Sequence, residues 1–327
     1  MTLYSIFHLN IMFSSVSKDQ RSEVIKKCYW PLLDLCENDF KIGVELTGNT
    51  LEIINTIDQK WVIKFKRLLK SNKVELIGSG YSQIIGPLIP FKVNDWNQKL
   101  GLEVYKDLLD TVPSTALVNE MSYSSGILEH YINNGYSNII MEINNSLEIY
   151  GDWKLNRPNI VENQFGESLN VIWADSIAFQ KFQRYVSDEI SYNEYNKYIN
   201  KYPYTSMPLY SSDAEIFDFR PGRFKEETNL EGSISEWQKI HELFKSLKSS
   251  NNNYVFPSDL PRVSKEQIVC RIESSKKPIV VKKQNKYNIN RWALSGRDDL
   301  NLNTKCVKIF NEIKDTAAKK QWKALCY

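Results

Sequence analysis

No apolar run in the 327-residue chain approaches the roughly 18 residues that a membrane-spanning helix needs. The N-terminus, MTLYSIFHLNIMF, lacks the basic flank and the small-residue cleavage site of a secretory signal, and it reads as a first buried strand. An excess of one charge sign is missing too. Against 42 basic residues stand 39 acidic ones, with the signs interspersed, which excludes a strongly basic nucleic-acid binder and an acidic tail. Cysteine is scarce: Cys28, Cys36, Cys270, Cys306 and Cys326 make an odd number with no CxxC pair. That argues against a disulfide framework or a zinc cluster and for a reducing, cytoplasmic setting. Only His8, His130 and His241 supply imidazole, and no HxxxH-type pair exists, so metal chemistry built on several imidazoles is poorly served. A G-x-G-x-x-G fingerprint is absent: Gly78-Ser79-Gly80 is followed by Gln83 where the third glycine belongs. The P-loop pattern and internal repeats are also missing.

What is present is ordinary globular material, 42% hydrophobic and 25% charged. Short apolar runs at 3–8, 41–46, 74–79, 116–118, 138–142, 171–173, 207–211 and 253–256 read as strands. Helical periodicity occupies 22–36, 50–71 with a break near Asp58, 94–110, 124–134 and 235–247. Asn134-Gly135 marks a helix stop, because glycine takes the left-handed conformation easily. Strands alternating with helices imply parallel βαβ units, and this many units predict an α/β fold, a distorted (β/α)7-type barrel over 1–262. A doubly wound open sheet is the alternative. Beyond 262 the texture changes: a short basic run at 276–286 reads as a solvated face, and 299–327 is helical in pattern. We expect a helical domain over 263–327 there. Its last residues, 322–327, are apolar with no stop signal, so the domain is expected to be incomplete.

In such a barrel, reactive groups stand at the C-terminal ends of strands. Those positions give His8 and Asn10, then 78–83, then Asn119 and Glu120, then Glu142, and finally Asp213 and Glu215. Glu120 and Asp213 each follow an apolar strand. Two carboxylates facing one cleft suit glycoside hydrolysis, in which one protonates the leaving oxygen and the other attacks or activates water. A carboxylate in such a place also serves as a helix cap or a solvated side chain. Aromatic residues make up 12% and mostly fill cores, but Trp153 and Trp292 lie in polar, loop-like settings and are candidates for stacking on sugar rings.

Five segments resemble those of glycoside hydrolase family 57 over nearly the whole chain, the first four in order and at family-like spacing. SIFHLN at 5–10 is similar to the first, a strand ending in a His-rich tip, and VELIGSGYSQIIGPLIP at 74–90 to the second. LVNEMSYSSGILEHYINNGYSNIIME at 117–142 resembles the third, where the family has its catalytic glutamate. PLYSSDAEIFDFRPG at 208–222 resembles the fourth, and QWKALCY at 321–327 the start of the fifth. The resemblance implies an amylase or 4-α-glucanotransferase type of enzyme, with Glu120 as nucleophile and Asp213 as general acid/base. Glu215 would support them, and His8, Asn10, Tyr81 and Gln83 would line the sugar site. No metal or other cofactor is implied, and the partner is an oligosaccharide or polysaccharide substrate with an α linkage. Departures from the pattern are Asn10 and Tyr81 where histidines are usual, Asn119 where Pro or Thr is common, and Asp218 where Gly is frequent. Two other readings share the barrel. One is a carbohydrate-binding protein with little or no turnover. The other is a metal-dependent carbohydrate deacetylase, which would need an early Asp pair and a HxxxH-type pair. Nothing in the residues sets an oligomeric state.

Overall fold

The computed structural model describes residues 1–144, 160–201, 205–220, 234–260, 269–273 and 298–327. Ten strands occur among them: β1 (Thr2–Leu9), β2 (Ile42–Leu46), β3 (Val74–Gly78), β4 (Thr115–Leu117), β5 (Asn138–Glu142), β6 (Ile160–Glu162), β7 (Ser168–Ala174), β8 (Ser206–Asp213), β9 (Asn253–Tyr254) and β10 (Val269–Cys270). They form one sheet in the order β10-β6-β7-β5-β4-β3-β2-β1-β8, with β9 paired to β1. The pairings β7-β5-β4-β3-β2-β1-β8 are all parallel, giving the seven staves of a distorted β/α barrel. The ring is a curled half-barrel: β7 and β8, which would meet to close it, share no ladder among the described residues. The run at 253–256 is no eighth stave. Only Asn253 and Tyr254 pair, with the start of β1.

Strands buried on both faces read as continuous apolar runs, and β1 and β2 are such strands. Leu3, Phe7 and Leu9 of β1 pack outward with Ile42, Val44 and Leu46 of β2 against the helices. Tyr4, Ile6, Ile77, Leu117, Ile140, Ile172 and Ala174 form a separate apolar cluster inside the curl. The alternation of side chains along each strand thus divides an outer core from an inner plug. Two short strands and two helices were not foreseen: β6 runs antiparallel to β7, β10 pairs with β6, and helices Ser176–Val186 and Tyr192–Ile199 precede β8.

Helix ends follow local chemistry. Asp58 separates Gly48–Ile57 from Gln59–Lys70, where the sequence predicts a break, and its carboxylate accepts from the Trp61 N–H at 3.3 Å. Gly135 ends Leu128–Asn133 with φ +80°. The segment 299–327 is two helices, Asp299–Ile313 and Lys319–Cys326. The second packs on Phe91–Leu109: Trp322 stacks on Trp96 with ring centroids 5.7 Å apart, and the Lys323 ammonium lies 2.7 and 2.9 Å from the two Glu52 oxygens. Among the described residues no helix is long and apolar enough to cross a membrane.

Helix Phe91–Leu109 also grips the loop that follows β3. The Asn97 carbonyl accepts from Tyr81 N–H at 2.8 Å, and its side-chain oxygen accepts from Ser82 N–H at 2.9 Å. The two backbones meet at Gly101, where a Cβ would lie 2.4 Å from the Gly80 carbonyl carbon. No side chain fits there without moving the loop. Gly101→Ala is therefore expected to destabilise the fold by about 1–3 kcal/mol, as overpacking against backbone does. Urea denaturation checks this, and an unchanged midpoint would refute the contact.

Candidate active site

The C-terminal ends of the parallel strands open into a cavity of about 750 Å³, within the usual size for small-molecule and glycan sites. His8, Asn10, Gln83, Glu120 and Asp213, expected from the sequence, all line it, together with Glu142. Strand register explains the grouping. His8 pairs with Glu45 across β1–β2 and with Asp213 across β1–β8, so the three share one rung. The register slips by one residue after Tyr4: Tyr4 faces Pro208, but Ser5 faces Tyr210. That irregularity brings Ser211 and Asp213 into phase with Ile6 and His8 on the inner face.

Glu120 stands in the 3-10 turn Asn119–Met121 just past β4. Its φ is +51° and that of Met121 is +53°, the left-handed region that costs a non-glycine residue roughly 1–2 kcal/mol. Such strain persists only where surroundings impose it. Here Asn119 imposes it: its amide donates to the carbonyls of Ser79 (3.2 Å), Ser82 (3.3 Å) and Ile84 (3.2 Å), tying the β4 turn to the loop after β3.

Two expected residues do not line the cavity. Tyr81 is only 4% exposed and packs with Trp322 instead; its hydroxyl donates to Glu52 at 2.9 Å, and Lys323 lies 4.6 Å above its ring. The chain reverses at Gly80 (φ +79°) and turns Tyr81 toward the helices. Glu215 is buried behind the end of β1, where Oε1 accepts from Asn10 N–H at 2.7 Å and from the Tyr29 hydroxyl. It braces Asn10. Trp153 and Trp292 lie outside the described residues.

Burial dominates the electrostatics. It drives the His8 imidazole down to about 4; Nε2 is 3.1 Å from Ser211 Oγ and Nδ1 is 3.7 Å from Glu45 Oε2. Glu45, fully buried and hydrogen-bonded by Ser79, is pushed up to about 8 by burial and by the negative charges of Asp213, Glu215 and Glu120. Burial likewise raises Asp213, and Glu215 is raised by burial and by Asp213 beside it. Glu45 therefore keeps its proton at neutral pH and the His8 ring stays neutral, so the two form no ion pair. Sequence reasoning missed Glu45; its signal was a lone carboxylate within the apolar run 41–46. Among the described residues no group of three or more His, Cys, Asp or Glu side chains is placed to hold a metal ion.

A carboxyl of raised proton affinity and a second carboxyl sharing one cavity with it form the minimum set for acid-assisted cleavage of an acetal. Comparison with known proteins gives the family and the fold. The family model for glycosyl hydrolase family 57 matches residues 6–254. The fold resembles that of 4-alpha-glucanotransferase from Thermococcus litoralis (TM-score 0.62, 16% identity, covering 99% of this chain and 48% of that one). It also resembles the exo-type maltose-forming amylase from Pyrococcus sp. ST04 (0.64, 12%, covering 91% and 57%). A third similar structure is the alpha-amylase AmyC from Thermotoga maritima (0.60, 11%, covering 99% and 86%). This chain thus spans about half the length of the glucanotransferase. No curated protein matches the sequence.

The buried carboxyls have a consequence for stability. Glu45 and Glu142, both raised to about 8, keep their protons in the folded chain where unfolded glutamates, near 4.3, have lost theirs. The folded state then binds more protons, so their stabilisation is complete below the unfolded value and is lost as pH rises toward about 8. His8 acts oppositely: between about 4 and 6.5 the unfolded state binds more protons, and stability rises with pH. Above about 6.5 only the carboxyl effect remains. The urea midpoint is expected to fall from pH 6.5 to 8, and Glu45→Gln to flatten that fall by up to about 1 kcal/mol per pH unit. The same slope in Glu45→Gln as in the parent would reject the protonated state of Glu45.

Proposed function

The chain belongs to glycosyl hydrolase family 57, and from that premise we propose that it is a retaining glycoside hydrolase or transglycosylase acting on an α-linked glycan. The observation that carries the reading is the joint presence of Glu120 and Asp213 on the wall of one cavity at the strand ends. Glu120 attacks the anomeric carbon while Asp213 gives its proton to the departing glycosidic oxygen, leaving a glycosyl-enzyme ester. Asp213, now a carboxylate, takes a proton from water or from an acceptor sugar hydroxyl, and that oxygen displaces Glu120. Two inversions return the original anomeric configuration. The raised proton affinity of Asp213 supports the acid role, because an acid must still hold its proton at working pH.

His8 is the remaining wall group of the rung. Its ring is neutral, so it offers a sugar hydroxyl a hydrogen bond without adding charge. Gln83 and Asn10 serve the same purpose with amides. We take 1–262 as the catalytic barrel and 263–327 as a helical domain; Cys326 and Tyr327 at the end of its last helix contribute to the cavity wall. The five cysteines are all unpaired, which supports a reducing, cytoplasmic setting.

The test is turnover of α-glucans by the purified chain, followed by proton NMR of the first product formed. Asp213→Asn is expected to lower kcat by about 10²–10⁴-fold, the worth of a positioned acid/base, and Glu120→Gln by at least as much. Release of the β-anomer from an α-linked substrate would reject retention, and parent-like turnover in Glu120→Gln would reject the nucleophile.

A further inference from the structure

Tyr81 lies outside the cavity, and the function proposed above gives it no part. It closes a cluster with Glu52 and Lys323. Glu52 Oε2 accepts from the Tyr81 hydroxyl at 2.9 Å, the Lys323 ammonium lies 2.7 and 2.9 Å from the two Glu52 oxygens, and the same ammonium stands 4.6 Å from the Tyr81 ring centroid. Each member comes from a different segment, and each segment reaches the cavity within a few residues. Glu52 is on helix Gly48–Ile57, where Asn49 and Thr50 line the cavity. Tyr81 precedes Ser82 and Gln83, which line it too. Lys323 is on helix Lys319–Cys326, whose end brings Cys326 and Tyr327 into the wall. The cluster is the junction of three wall segments.

The third segment depends most on that junction. A helix of eight residues is too short to hold its own shape in water, so docking maintains it. Trp322 is the anchor: it is buried, its ring stacks on Trp96 with centroids 5.7 Å apart, and the Lys92 ammonium lies 5.3 Å from it. Lys323 is the next residue and projects about 100° further round the helix axis, toward Glu52. Two contacts in different directions fix rotation where one would leave it open. Residues four apart share a helix face. Trp322 thus carries Cys326 inward, where Sγ is 3.6 Å from the Val93 carbonyl oxygen, and Lys323 carries Tyr327. Tyr327 is 73% exposed and takes its place in the wall from the helix.

We propose that Glu52 and Lys323 are positioning residues: their ion pair, closed by Tyr81, sets the rotation of helix Lys319–Cys326 and with it the wall that Cys326 and Tyr327 form. The inference rests on reading the cavity as a glycan site. A wall set in this way governs substrate affinity and leaves the chemical step to Glu120 and Asp213.

Two cysteines give the test an internal reference. Cys326 is buried, and Cys306, on helix Asp299–Ile313, is exposed. Alkylation with iodoacetamide, followed peptide by peptide by mass spectrometry, yields the Cys326 rate relative to Cys306 in the same chain. Lys323→Met keeps the stem and removes the charge. It is expected to raise that ratio about 3- to 30-fold, the combined worth of an ion pair and a cation–π contact. Lys323→Arg keeps both contacts and is expected to hold the ratio within about 2-fold. Trp322→Ala removes the anchor and is expected to bring Cys326 to the Cys306 rate. With an α-glucan as substrate, Lys323→Met is expected to raise KM about 2- to 10-fold with kcat within about 2-fold, and Lys323→Arg to restore KM. An unchanged alkylation ratio in Lys323→Met would overturn the proposal. So would a raised ratio with parent-like KM, which leaves the pair a stabiliser of the helix alone, or a fall in kcat at constant KM, which puts the helix in the chemical step. If the ratio rises while the parent chain turns over no glycan, the hydrolase reading fails and the wall-setting pair stands. If the parent turns over glycan and neither ratio nor KM moves, only the present inference fails.

Discussion

Strand β1 is hydrogen-bonded in parallel to β2 on one side and to β8 on the other, and the register of those two ladders decides where each reactive group stands. Side chains alternate along a strand, so moving one ladder by a single residue exchanges its inner and outer faces. Without the slip after Tyr4, Ser212 and not Asp213 would stand opposite His8. The slip is held from outside the barrel. Leu209 and Tyr210 both enter the outer core, where the Tyr210 ring lies 4.9 Å from Phe7 and 5.2 Å from Phe217. Its hydroxyl donates to the Asp213 carbonyl at 2.7 Å. Aromatic packing on the helix side thus aims a carboxyl on the cavity side.

Placing the rung at the top of an apolar plug has an electrostatic cost that the chain meets with protons. Glu45, Asp213 and Glu215 are all raised and His8 is lowered, each mainly by burial. An ion pair between His8 and Glu45 would require two desolvated charges at 3.7 Å, and the neutral pair avoids both penalties. Burial raises the proton affinity of Asp213 at the position where acid catalysis would need a proton.

The sequence was most informative where burial is two-sided. β1, β4, β5 and β8 each carry a short apolar run, so their ends, and with them His8, Glu120, Glu142 and Asp213, could be located by pattern alone. Direction beyond a strand end could not, because it depends on one or two backbone angles. Tyr81 and Gln83 are two residues apart after the same strand, yet the positive φ of Gly80 sends Tyr81 into the helix layer while Gln83 reaches the cavity. Glu215 lies two residues beyond Asp213 and is drawn behind β1 by the Tyr29 hydroxyl and the Asn10 amide. Glu45 looked like an interruption in an apolar run, and its partnership with His8 exists only once β1 and β2 are in register. β6 and β10 are two or three residues long and draw their pairing from β7, so no local period marks them.

Asn119 ties these observations to the mechanism. A proline or threonine there would lack the two-proton amide that reaches three carbonyls of the loop after β3. Those bonds hold the 119–121 turn in its left-handed geometry and join it to the segment that presents Ser82 and Gln83. The same segment is clamped from the other side by Asn97 and closed over Gly101. The proposed nucleophile and the β3 side of the cavity wall are therefore one rigid unit, and the β1–β8 rung with Asp213 is another, joined through β2 and the Glu45–Ser79 hydrogen bond. In the proposed mechanism, attack and proton donation would come from opposite units. The separation between the two carboxyls decides between direct attack and activation of water, and the β4-β3-β2-β1-β8 ladders lie between the two units.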